Sequence, residues 1–70
     1  MEDNIFGIRL KELRLEAKLS QIEFAKKINI GKSIISTWEQ GLSSPTLPNL
    51  IAIADFFDVS IDYLAGRVDY

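Results

Sequence analysis

The chain of 70 residues contains no cysteine and no histidine. Without Cys, neither a disulfide framework nor a thiolate metal site can supply stability, and the redox compartment is left unconstrained. Without His, the residue that dominates zinc ligation and proton shuttling near neutral pH is missing. With no thiol nucleophile and no convergent carboxylate cluster either, an enzymatic reading has nothing to rest on. No metal, cofactor or small-molecule ligand is expected. No apolar run approaches the ~18 residues of a membrane span. The opening Met1-Glu2-Asp3-Asn4 is acidic where a signal peptide is basic, so no membrane association and a cytoplasmic location are expected. Proline is scarce, at 2 residues in one stretch, and there is no alternating strand pattern, internal repeat or low-complexity segment.

What remains is the composition of an ordinary folded domain, 47% hydrophobic and 26% charged. A chain this short hides only about 60% of the surface it exposes when unfolded, which leaves room for one domain held by a packed apolar core. Its core is expected over about residues 5–66. Eight Lys and Arg against ten Asp and Glu give a net charge of −2, superficially unfavourable for a polyanionic partner. The charges are unevenly spread, however. Residues 1–41 carry seven basic and six acidic side chains, whereas residues 42–70 carry Arg67 against Asp55, Asp58, Asp62 and Asp69. The acidity belongs to the C-terminal part, so long-range attraction to nucleic acid would be weak and local contacts would have to supply affinity.

Helical periodicity runs through the chain. Phe6, Leu10, Leu13 and Ala17 share one face of a first helix that is expected to end near Lys18, with Arg9, Lys11, Glu12, Arg14 and Glu16 largely outside that face. Ser20-Gln21-Ile22-Glu23 has the Ser-x-x-Glu spacing of a capping box and starts a short second helix, which Asn29 can end in the left-handed conformation. Gly31 is a tolerable cap for a third helix, Lys32 to Gln40, with Ile35 and Trp38 facing inward and Gly41 beyond its end. Leu42-Ser43-Ser44-Pro45 is a connecting loop. Thr46 then caps a strongly apolar fourth helix with Leu47, Leu50, Ala54 and Phe57 in phase. Asp58-Val59-Ser60 breaks it, and Ser60 caps a last short helix that stops at Gly66. The expectation is all-α, five short helices around a single core. The second and third form a helix-turn-helix, an arrangement also compatible with a helical bundle that merely has a tight corner.

Several residues in order carry a closer likeness. Leu19-Ser20-Gln21-Ile22-Glu23-Phe24-Ala25, the Ile35-Ser36 and Trp38-Glu39 steps, Gly41, Pro45, Leu50, Ala54 and Val59-Ser60-Ile61-Asp62-Tyr63-Leu64 together resemble the Cro and phage-repressor type of helix-turn-helix regulator, the xenobiotic response element family. The resemblance covers about Phe6 to Arg67. It implies a lambda-repressor-like domain that binds double-stranded DNA with its third helix in the major groove, in a bacterial or phage-encoded regulator, most often a repressor.

On the third helix, the face opposite Ile35 and Trp38 carries Lys32, Ser33, Ser36, Thr37 and Gln40, all hydrogen-bonding types. Lys32 can donate to guanine O6 and N7, Ser33 to several base edges, and Thr37 can set its methyl against a thymine methyl. The resemblance places Lys32, Ser33 and Thr37 on the family's principal base-reading positions, with Ser36 close by. The alternative is a solvated helix face with no ligand. For the phosphates, Gln21 at the start of the second helix is the best candidate, because free N–H groups and the positive dipole end favour an anion there. The resemblance implies the same role for Gln21, and it makes Arg14 a phosphate contact paired with Glu39. Read by itself, that pair is a surface ion pair worth under about 1 kcal/mol. Gln40, Ser43 and Ser44 complete the phosphate candidates, although the Leu42-Ser43-Ser44 loop lacks the Lys or Arg of many relatives. Ile34 also departs from the family pattern, where a small polar residue is common. It either packs against sugar or a thymine methyl, or is partly buried.

A single headpiece reads too few base pairs for genomic specificity, so a homodimer on a palindromic site is expected. Phe56, Ile61, Tyr63, Val68 and Tyr70 are the candidate interface residues, with Ile51 also left near the outside. The competing function class is a protein-interaction module on the same fold, such as an antitoxin or accessory regulator.

Overall fold

The computed structural model describes residues 4–69. Those residues form five helices and no strand: α1 (Ile5–Glu16), α2 (Gln21–Ile28), α3 (Lys32–Gln40), α4 (Leu47–Phe57) and α5 (Ile61–Ala65). Tyr70, a candidate interface residue, lies outside the described residues.

Each helix begins and ends on local chemistry. Ser20 Oγ accepts from the Glu23 amide at 3.0 Å while the Glu23 carboxylate accepts from the Ser20 amide at 2.8 Å, completing the capping box of α2. Thr46 and Ser60 cap α4 and α5 in the same way, accepting from the amides of Asn49 at 3.3 Å and Tyr63 at 2.9 Å. Asn29 ends α2 at φ +59° and Gly41 ends α3 at φ +78°. Asp58 ends α4 at φ +56°, so the break after Phe57 is made by a short polar side chain that tolerates the left-handed region. Replacing Ser20 with Ala is expected to cost about 1 kcal/mol in chemical denaturation, the usual worth of an N-cap. Hydrogen bonding from Ser20, chiefly its amide and then its hydroxyl, holds the Glu23 carboxyl below its ordinary value of 4.5. Because the folded value is the depressed one, this contribution is present above pH 4.5 and is lost as the pH falls through the folded value.

Two expectations need correction. α1 stops at Glu16, two residues before Lys18, because Lys18 turns to φ +60° and the Leu19 amide bonds back to the Arg14 carbonyl at 3.1 Å. Its fully buried stripe is Gly7, Leu10 and Arg14, with Phe6 and Leu13 half-buried and Ala17 exposed. In α4, Ala54 is buried and Leu50 and Phe57 pack half-buried on the core as their phase suggests, but Leu47 at the first helical position is 64% exposed and Ile53, outside that stripe, is fully buried. α1 packs on α3 and α5, and α2 on α3 and α4, so that Leu10, Phe24, Ile35, Trp38, Ile53 and Leu64 form one core.

The C-terminal part closes against α1. The Arg9 guanidinium lies 4.3 Å over the Tyr63 ring and donates to the carbonyls of Tyr63 and, at 2.6 Å, Val68. Ile61 and Tyr63 are half-buried against the core, so only part of each side chain is exposed. Phe56 is 40% exposed, yet its ring also meets Phe24 and Phe57 edge-on, with centroids 5.5 and 4.9 Å away.

Candidate nucleic-acid interface

The joint between α2 and α3 is tight. Asn29 reverses the chain, the Ile30 amide bonds to the Ala25 carbonyl at 2.9 Å, and α3 starts two residues later. Burial of Ile35 at 0% and Trp38 at 2% exposure sets the phase of α3. It turns Lys32, Ser33 and Gln40 fully outward and leaves Ser36 and Thr37 half-exposed on the same side. All the candidate base-reading side chains therefore share one solvent-facing surface. An open groove of about 420 Å³ lies beside it, between Ile22 and Lys26 of α2 and the Gly31-Lys32 step.

Much of that surface is already hydrogen-bonded to itself. Thr37 Oγ1 donates to the Ile34 carbonyl at 2.8 Å and lies 2.7 Å from Ser43 Oγ. Gln40 Nε2 donates to the Ser36 hydroxyl at 2.8 Å and to its carbonyl at 3.2 Å. Among the described residues, the side chains of Lys32 and Ser33 make no comparable bond. Ile34 is 44% exposed at the edge of the same face. Ser44 is exposed in the loop between α3 and α4.

Behind this surface lies a buried polar network. Arg14 Nε donates to Glu39 Oε2 at 2.7 Å, Nη2 to Oε1 at 3.0 Å and Nη1 to the Leu19 carbonyl at 2.8 Å. The two side chains are only 7% and 4% exposed, so this is a buried bidentate pair and not the surface ion pair that the spacing alone suggests. The Glu39 hydrogen bond raises the Arg14 pKa above its ordinary value, with burial opposing it. Gln21 Nε2 donates to Glu39 Oε1 at 3.0 Å, which ties the first residue of α2 to α3 and α1.

Two further positioning residues escaped the sequence reading. Asn4 caps α1 by accepting from the Gly7 amide at 3.1 Å, and its Nδ2 donates to the Glu39 carbonyl at 2.8 Å near the end of α3. A Cβ on Gly7 would lie under 3.0 Å from the Trp38 carbonyl oxygen and from the Asn4 amide, so α1 and α3 approach to backbone contact there. The available signal was a glycine inside an apolar-periodic helix, which marks close packing.

Comparison with known proteins bears on this arrangement directly. The model of the helix-turn-helix family matches residues 10–64, which span all of α2 and α3 and most of their support. The chain belongs to the helix-turn-helix family, of the Cro and phage-repressor type. That family is non-enzymatic and DNA-binding. Among curated relatives, the transcriptional regulator ImmR of Bacillus subtilis is 39% identical over 61 residues, covering 87% of this chain and 48% of the relative. The immunity repressor of Bacillus phage phi105 is 32% identical over 61 residues, covering 87% and 42%. The chain thus spans about half the length, or less, of such relatives. Among solved structures, SinR, a master regulator for biofilm formation crystallised in complex with DNA, superimposes with a TM-score of 0.79 at 33% identity. That match covers 86% of this chain and 97% of the chain in that structure. The restriction-modification controller protein C.AhdI of Aeromonas hydrophila gives 0.77 at 32% identity, covering 89% and 96%. No helix among the described residues is long and apolar enough to cross a membrane.

Proposed function

We propose that the chain is a sequence-specific DNA-binding transcriptional regulator, a repressor, that sets α3 in the major groove of a palindromic operator as a homodimer. The observation that carries this is the outward face of α3 beside a Gln21 held in place by Glu39. Lys32 and Ser33 supply free donors to base edges, and Ser36 and Thr37 shape the surface around them. Gln21 at the N-terminus of α2, with Gln40, Ser43 and Ser44, contacts the phosphates. Arg14, committed to Glu39, acts on the backbone contact through Gln21 and not by reaching the duplex itself. Phe56, with the neighbouring Ile51 at 42% exposure, is the apolar part of α4 open to a second copy. Val68 and Tyr70 belong to the same end of the chain. The fold acts as one domain with its core over about residues 5–66, in a cytoplasmic protein of bacterial or phage origin.

Selection of bound duplexes from a random pool at stated salt, with a mass measurement of the complex, tests site, symmetry and stoichiometry together. Exchanging Lys32 and Thr37 together for Ala is expected to relax the selected sequence while leaving the circular dichroism spectrum unchanged, because neither side chain is in the core. An unchanged sequence preference in the double variant would remove these residues from the base-reading set.

A further inference from the structure

The outer face of α3 offers fewer free polar groups than its composition suggests. The Thr37 hydroxyl is held by its own preceding turn and by Ser43, and in the free protein the Gln40 amide folds back to donate to Ser36 instead of pointing outward. Lys32 and Ser33 keep their donors, and next to them stands Ile34, 44% exposed, with no hydrogen-bonding group at all. Ile34 and Thr37 are three residues apart on the helix and therefore neighbours on its surface. With the hydroxyl bonded back into the protein, the part of Thr37 left without a partner is its methyl group. Both side chains are β-branched and stiff, so little rotamer freedom is lost when either is pressed against a ligand. The edges of the base pairs in the major groove present hydrogen-bonding groups and one apolar group, the C5-methyl of thymine.

We infer that Ile34, with the Thr37 methyl beside it, is a specificity-determining contact that reads the C5-methyl of a thymine in the bound site. This rests on the reading that α3 enters the major groove, and it adds an apolar recognition element to the polar ones of Lys32 and Ser33.

The test takes the strongest duplex from the random-pool selection and replaces each thymidine in turn by deoxyuridine, which deletes the methyl group and leaves every hydrogen-bonding group in place. Dissociation constants are measured by fluorescence anisotropy for the wild-type chain, Ile34→Ala and Thr37→Ser. The wild-type chain is expected to lose about fourfold in affinity at one or two positions, the effect of one methyl-sized apolar contact. Ile34→Ala is expected to bind the thymine duplex more weakly and to treat thymine and uracil alike at those positions, with Thr37→Ser intermediate. Wild-type binding that is indifferent to uracil at every position overturns the inference while leaving sequence-specific binding intact. So does an Ile34→Ala chain that keeps the full thymine preference. Failure to select any duplex removes the groove reading itself, and this inference with it.

Discussion

Glu39→Ala is expected to lower the free energy of unfolding by about 3–5 kcal/mol, the largest effect of any single substitution outside the apolar core. The carboxylate is 4% exposed and accepts from two nitrogens of Arg14 and from Gln21, so its removal leaves a buried guanidinium with, among the described residues, only the Leu19 carbonyl as a partner. A protein of this size has only about 4–10 kcal/mol of stability in all, so the variant should be largely or marginally unfolded near body temperature. Glu39→Gln keeps the shape but not the charge and should also be strongly destabilised. Replacing Arg14 by Met and Glu39 by Leu together should recover most of the loss, since the desolvation of both charges is then no longer required. Urea titrations of the single and double variants measure these differences. A loss below about 1 kcal/mol in Glu39→Ala would mean that the pair behaves as an exposed one. Under conditions where the double variant folds, its DNA affinity should fall across all sequences alike if Gln21 is the phosphate contact proposed above, because Gln21 loses the acceptor that holds its amide.

The caps and breaks of this fold were readable because each is a signal contained within a few residues. Ser20 with Glu23, Asn29, Gly41 and the Asp58-Val59-Ser60 break all act on the nearest turn of backbone. What periodicity could not supply was the phase of a helix whose partners are distant. Arg14 fell outside the apolar face of α1 by its chemistry, and only Glu39, 25 residues away, makes its burial possible. In α4, Leu47, Leu50, Ile51, Ile53, Phe56 and Phe57 are apolar on nearly every side. Several stripes therefore fit equally well, and packing selected the one through Ile53.

The outer face of α3 was legible for the opposite reason. Two large inward residues in a polar helix, Ile35 and Trp38, leave a single choice of phase, and Lys32, Ser33, Ser36, Thr37 and Gln40 follow from it. The state of those side chains was not legible. Ser43 reaches Thr37 from a loop whose course no local pattern predicts, and it turns a hydroxyl that looks available for a base into one already engaged. The apolar edge at Ile34 gains weight only after that is seen.

Gly7→Ala is expected to destabilise the fold by about 2 kcal/mol net, against the ordinary preference of helices for Ala. Gly7 lies in the first turn of α1 with no positive φ, so conformational freedom is not what requires it. Exchanging an interior helical Gly for Ala normally gains up to about 1 kcal/mol. Here the added methyl meets the Trp38 carbonyl oxygen, a backbone atom of a helix locked by the burial of Ile35 and Trp38, and cannot be relieved by a side-chain rotation on that side. On the other side it meets Asn4, whose amide both caps α1 and holds the Glu39 carbonyl. α1 and α3 must therefore separate, and Asn4 must shift and weaken both of its bonds. Gly31→Ala is the control: a Cβ there has only Ile34 within reach, at 3.9 Å, and the change should cost about 0.5 kcal/mol or less as an N-cap substitution. Chemical denaturation of the two variants side by side decides the matter. A Gly7→Ala chain as stable as the wild type would show that α1 and α3 have room to part. Where the variant still folds, α3 should sit displaced from α1, and on the proposed function the chain should bind its selected duplex more weakly, because the outer face of α3 is positioned by the contact that only glycine allows.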